Sequence, residues 1–329
     1  MTTLLVAKQY IKLFYSKFEI YITPILKFLM AFIALLQINS RLGYMAAIDR
    51  LPVVLVVALM CSFMPSNFTV IMSALFVLLH LYAFNLECTI VIGVAFILMF
   101  LLYFRFSPKD TAVVVLMPIC FLLKIPYVIP MAMGLIGTPA SAVSVACGVI
   151  VYYMIHFVTE NATVLSGMAE EELAARFKIV VDGIINNKEM VVTIVAFAVT
   201  LILVYLIRRL SIDYAWTIAM VAGAFVNIMV ILIGDLMFDT NVSLFGVIVG
   251  TIFAFLLTVV LQFFVFHVDY SRTEKVQFED DEYYYFVKAV PKVYLARKDK
   301  RVKRITPKKT TISRRQLEED FDIDRDLRH

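Results

Sequence analysis

Charge is what this chain has least of over most of its length. Of its 329 residues, 62% are hydrophobic and only 17% are charged, against about 25% charged in an ordinary soluble domain. More than half of the charged side chains fall after residue 268. A soluble core cannot absorb apolar runs of about 18 residues or more, so a water-soluble globular domain is excluded. Cysteine is scarce as well. Cys61, Cys88, Cys120 and Cys147 each lie inside an apolar run and form no CxxC pair. They read as small buried hydrophobes, not as a disulfide framework or a zinc site. HExxH, GxSxG and GxxxxGKS/T are all missing, which argues against a zinc peptidase, a serine hydrolase of that type and an ATPase. His80, His156 and His267 lack a second ligand at metal spacing and read as packing or interfacial residues. No enzyme activity, metal or cofactor is expected. No small-residue cleavage site follows the first apolar stretch, so the first span is expected to direct insertion itself.

What is present is grease in long blocks. The pattern predicts an all-α fold, a polytopic transmembrane bundle of about nine spans with a charged cytoplasmic tail. Residues 1–21 form a basic amphipathic lead-in with Lys8, Lys12 and Lys17. Residues 22–268 form the bundle and 269–329 the tail. Spans are expected near 22–40, 51–65, 67–84, 87–105, 139–159, 189–207, 212–235 and 242–268. The pair 111–123 and 126–137 is too short for two ordinary spans and reads as one broken or re-entrant unit. Between residues 166 and 187 an amphipathic helix is expected, with Leu173, Phe177, Val180, Val181, Ile184 and Ile185 on one side and Glu170, Glu171 and Glu172 opposite. It is either a cap packed on the bundle or a moving lid.

Basic residues near the span ends orient the chain. Lys8, Lys12, Lys17, Arg105, Lys109, Arg208, Arg209 and the sixteen Lys and Arg of the tail mark the cytoplasmic side. Arg41 and Arg50 fall on the opposite side and violate the rule. With the 111–137 unit entering and leaving on one side, both termini are cytoplasmic. Asn67 and Asn161 each begin a glycosylation sequon, and only Asn161 faces outward in this arrangement.

Three features could carry function. The first is the proline- and glycine-rich stretch Pro118, Lys124, Pro126, Pro130, Gly134, Gly137. Proline frees helix carbonyls that must find partners or line a wet cavity in the bilayer, and transporters build midplane sites from such interrupted helices. Lys124 would be a counter-charge for an anionic group, or a side chain that snorkels from a hairpin tip. The second is Asn227 with Asp235, two turns apart on one predicted span. They read as polar contributors to a pathway, or as an interhelical hydrogen bond and an interfacial end residue. The third is spacing: Ala140, Ser144 and Gly148, then Ala219 and Gly223, then Gly246, Gly250 and Ala254 recur every four residues, a pattern that lets helices approach closely.

The tail sets Asp280 and Asp281, within the acidic run 279–282, directly before Tyr283, Tyr284, Tyr285 and Phe286. A β-prone stretch from Val287 to Leu295 follows. The basic block includes Lys298, Arg301, Lys303 and Arg304. It suits anionic lipid, and no nucleic-acid-binding fold accompanies it. The acidic-aromatic run suits docking on the bundle or on a cytoplasmic protein partner. The tail run VQFEDDEYYYFVKAVPK and the membrane stretch LKIPYVIPMAMGLIGTPASAV resemble uncharacterised polytopic membrane proteins of Gram-positive anaerobes. The resemblance implies a bacterial plasma-membrane location and carries over no functional residue.

The lipid bilayer is thus the first expected partner, with a second copy or a partner subunit left open. The leading expectation is a permease-like transporter of a small solute, its pathway lined by the broken segment 118–139. The alternative is a non-transporting scaffold whose tail recruits a partner complex.

Overall fold

The computed structural model describes residues 2–167, 173–240, 242–265, 274–279 and 284–289. Residues 1–268 and 269–329 are separate units. Twelve α-helices make up the described part of the first: α1 Thr2–Leu42, α2 Leu51–Phe63, α3 Ser66–Phe84, α4 Leu86–Phe106, α5 Thr111–Leu122, α6 Val128–Ile136, α7 Ser141–Glu160, α8 Ala162–Gly167, α9 Leu173–Ile185, α10 Lys188–Arg208, α11 Ala215–Phe238 and α12 Leu244–Val265.

Among the described residues, seven helices are long and apolar enough to cross a membrane. Their outer faces expose large apolar side chains that water would not tolerate in such number; Phe245 is 79% exposed and Leu236 75%. This is the architecture of a multi-pass membrane protein. The count differs from the nine expected spans because two of the runs are short. The run at 51–65 forms only the 13-residue α2, about 20 Å at 1.5 Å per residue. The 111–137 run forms α5 and α6, neither long enough to qualify.

Helix boundaries follow local chemistry. Asn85 caps α4 by accepting from the backbone N–H of Glu87 (3.0 Å), and Asn187 caps α10 by accepting from that of Met190 (2.9 Å). The lead-in and first span join into one helix, broken by non-helical angles at Phe18. Lys27 reaches from α1 to the carbonyl of Met64, just past the C-terminus of α2 (3.3 Å), which places a cation where that short helix leaves its last carbonyls bare.

The bundle has two distinguishable ends. At one, α9 is clamped to α4 by Arg176 and Glu87 (3.6 Å), and Val180 buries against Cys88 and Leu165. A Cβ on Gly183 would fall inside the ring of Phe157 on α7, so glycine sets how closely α9 lies. The loop helix thus lies packed on α4 and α7 in this structure. At the other end, which bears Arg105 and Arg208, Tyr103, Asn67 and Thr111 share hydrogen bonds of 2.6–2.9 Å, and the hydroxyls of Ser107 and Ser144 meet at 2.6 Å.

In the second unit, β1 Glu274–Glu279 pairs antiparallel with β2 Tyr284–Ala289, so that Phe278 faces Tyr285 and Val276 faces Val287 in register. The β-prone stretch thus begins earlier than Val287, within the aromatic run. Asp280, Asp281, Tyr283, Lys298, Arg301, Lys303 and Arg304 lie outside the described residues.

Candidate functional site

The 111–137 run forms two short helices that go to different neighbours. α5 packs on α7, α1 and α3, whereas α6 packs on α10, α12 and α11. Between them the chain turns at Lys124, whose φ of 59° lies in the left-handed region. Lys124 is exposed, and its backbone carbonyl lies against Gly250, near the second turn of α12. Pro126 and Pro130 are buried. Gly134 sits against Val204, where a Cβ would come within 2.6 Å. Gly137 ends α6, and its carbonyl accepts from Arg208 Nη2 (2.7 Å). That arginine satisfies a helix-end carbonyl; its place at the end of an apolar run had suggested only topology. Most of 118–139 is thus packed wall, not open lining.

Asn227 and Asp235 are not brought to one site. Asn227 is fully buried and donates to Thr251 Oγ1 on α12 (3.2 Å). Asp235 accepts from Thr240 Oγ1 (2.8 Å) and from the backbone N–H of Val242 (3.3 Å), holding the turn between α11 and α12. The small-residue faces do pack. Gly148 meets Met117 on α5, and Gly223 meets Val204 on α10. Ala219 and Ala254 are buried in one apolar cluster, Ser144 pairs with Ser107, and Ala140 is the partly buried N-cap of α7. Gly246 is the exception: it is exposed, with only Ser243 of its own turn nearby.

The open space lies elsewhere. A cleft with a cavity volume of about 80 Å³ is enclosed by α1, α3, α4, α5 and α7. Its deep walls are apolar, among them Val70, Phe96, Met99 and Val114. Polar groups rise toward the α9 end: Ser73 and Gln37 midway, then Tyr152, His156, Thr159 and Arg41. Arg41 is the one lining residue that is exposed, so the mouth is at its level. Pro118 is the single member of the broken segment that lines this cleft, and its carbonyl accepts from Gln37 Nε2 (2.9 Å). Ser73 Oγ is buried without a hydrogen-bond partner. The Tyr152 ring stacks on Phe121 (centroids 4.1 Å apart) and on His156 (5.6 Å), which fixes one wall.

No group of His, Cys, Asp and Glu among the described residues could hold a metal ion. The cleft offers shape, apolar area and one cation at its mouth. It holds no paired acid, base and nucleophile. Comparison of the chain with family models, with curated proteins and with solved structures found no match.

Proposed function

We propose that this chain is a permease-like transport protein of a bacterial plasma membrane, taking a small, largely apolar solute through the α1–α3–α4–α5–α7 cleft. The observation that carries the reading is the cleft itself. It has an apolar interior, a polar mouth, and a wall formed in part by α5, a short helix interrupted after Leu122. Clefts lined by apolar side chains with a few placed polar groups are the usual form of a small-molecule site. Interrupted helices beside such a site are a recurring transporter device.

The topology fits this reading. Thr111 bonds to the Tyr103–Asn67 pair, and Gly137 bonds to Arg208, so both ends of the α5–α6 unit lie at the basic end. The unit is re-entrant: it enters from that side, turns at Lys124 and returns. Eight crossings remain, the seven long helices and α2, which leaves both termini on one side. Basic residues make that side cytoplasmic, and α9 caps the outer face.

The test is flux in vesicles. Full-length protein is reconstituted and a panel of fluorescent apolar and amphiphilic solutes is followed across the bilayer, beside Ala74→Trp, which fills the cleft. Protein-dependent flux that Ala74→Trp abolishes is the expected result. Flux equal to that of protein-free vesicles across the panel would sink the proposal. A truncation after Val265 separates the scaffold reading, because a transporter keeps its flux without the tail and its hairpin.

A further inference from the structure

Arg41, like Arg50, is a base that the topology rule does not explain. It sits at the end of α1 on the α9 side, where basic residues are disfavoured, yet it stands at the mouth of the apolar cleft. We infer that the cleft takes a single-chain anionic amphiphile from the surrounding leaflet, with its chain among Val70, Met99, Phe100 and Val114 and its head group on Arg41. The inference names the solute class of the transport reading above and rests on it.

Four observations converge. The deep walls are apolar and buried, so the cleft gains by taking up hydrocarbon and loses by holding water. The polarity gradient runs one way, from apolar depth to a charged mouth, which matches a molecule with one greasy and one charged end. Its length along the axis suits a medium chain: Ala34 to Arg41 on α1 and Val151 to Thr159 on α7 each span about 10–12 Å at 1.5 Å per residue. The sign of the head group follows from the charges present. Glu160 does not line the cleft, and its carboxylate is engaged by His156 Nε2 (3.1 Å). Thr159 gives its hydroxyl proton to the carbonyl of His156 (2.9 Å). Arg41 makes no ion pair among the described residues, and it presents a flat fork of donors suited to a carboxylate or phosphate. Ser73 and Gln37, partway down, give the wall its first polar character below the mouth.

The experiment is binding of a fluorescent polyene fatty acid and of its alcohol to the detergent-purified full-length protein. The acid is expected to bind saturably and more tightly than the alcohol. One cation at a membrane surface is worth about 1 kcal/mol, roughly a five-fold preference. Arg41→Gln removes the preference and leaves alcohol binding unchanged. Arg50→Gln, an exposed base on the same side that does not line the cleft, leaves the preference intact. Ala74→Trp abolishes both if it folds, and Arg41→Gln keeps the test decisive if it does not. Equal binding of acid and alcohol, a preference that survives Arg41→Gln, or unsaturable uptake alone would overturn the inference. Saturable, charge-selective binding without flux would remove the transport reading and leave the site. Flux without charge selectivity would do the reverse.

Discussion

Single side chains in this bundle carry outsized consequences because lipid offers no substitute partners. His80 is fully buried; its Nδ1 accepts from the backbone N–H of Met45 (3.1 Å) and its Nε2 donates to Asn39 Oδ1 (2.9 Å). Asn39 in turn donates to the carbonyl of Ile48 (2.9 Å). This neutral tautomer ties α1, α3 and the 43–50 loop together. His80→Ala leaves a buried amide oxygen and a backbone N–H bare, each costing about 1–3 kcal/mol. A melting temperature lowered by several degrees in detergent, with faster proteolysis in the 43–50 loop, is the expected result. Lys124 makes the opposite case. A left-handed residue other than glycine carries strain of about 1–2 kcal/mol, so Lys124→Gly should melt no lower than the wild type and Lys124→Val clearly lower. If Lys124→Gly instead destabilises strongly, the side chain has a partner that its exposure conceals. The sequence marked Lys124 as unusual through its apolar surroundings, and snorkelling from a hairpin tip was one of two readings. Its backbone angle was not legible, because nothing in LLKIPY dictates where the turn falls.

Among helices, close approach is set by glycine, and the structure separates stripes that bear weight from one that does not. Gly134 and Gly148 leave no room for a Cβ beside Val204 and Met117. Gly134→Ala and Gly148→Ala should each cost about 1–3 kcal/mol by overpacking. Gly246→Ala should change stability by less than about 0.5 kcal/mol, as an exposed site does. Thermal melting of the three variants side by side checks the contrast, and equal losses at all three would refute it. Four-residue spacing found Gly148 and Gly246, because it reads a helix face; Gly134 stood out only within the proline- and glycine-rich stretch. Spacing could not tell which faces meet a partner. The same limit explains Asn227 and Asp235. Two turns along one helix look like one groove in sequence, but the chain reversal after Phe238 takes Asp235 as its own cap. The loop helix was legible from its apolar period, whereas its fixed position came from Glu87 and Arg176, two charges 89 positions apart. Breaking that largely buried pair with Glu87→Ala is expected to cost about 3–5 kcal/mol. It should release α9 to protease before the rest of the bundle.

At the scale of the molecule, the cleft is the part that sequence could not show. Its walls come from five separate helices, each contributing residues that look like ordinary membrane filling. The outward signal was Arg41, which together with Arg50 breaks the charge pattern expected at span ends. The membrane class and the break at 123–127 were legible because length and hydropathy alone decide them. The side on which each segment ends then depends on the α5–α6 unit. If the unit is re-entrant, a cysteine at Lys109 and one at Thr138 react with an impermeant thiol reagent from the same side, in a background where Cys61, Cys88, Cys120 and Cys147 are replaced. Both labels are then on the side of the tail. If the unit crosses instead, the two labels fall on opposite sides, the termini separate, and Arg208 can no longer meet Gly137 at the end where Tyr103 meets Thr111. That outcome would put Arg41, which precedes the unit, and His156 and Thr159, which follow it, on opposite sides, and the cleft they line together would not form.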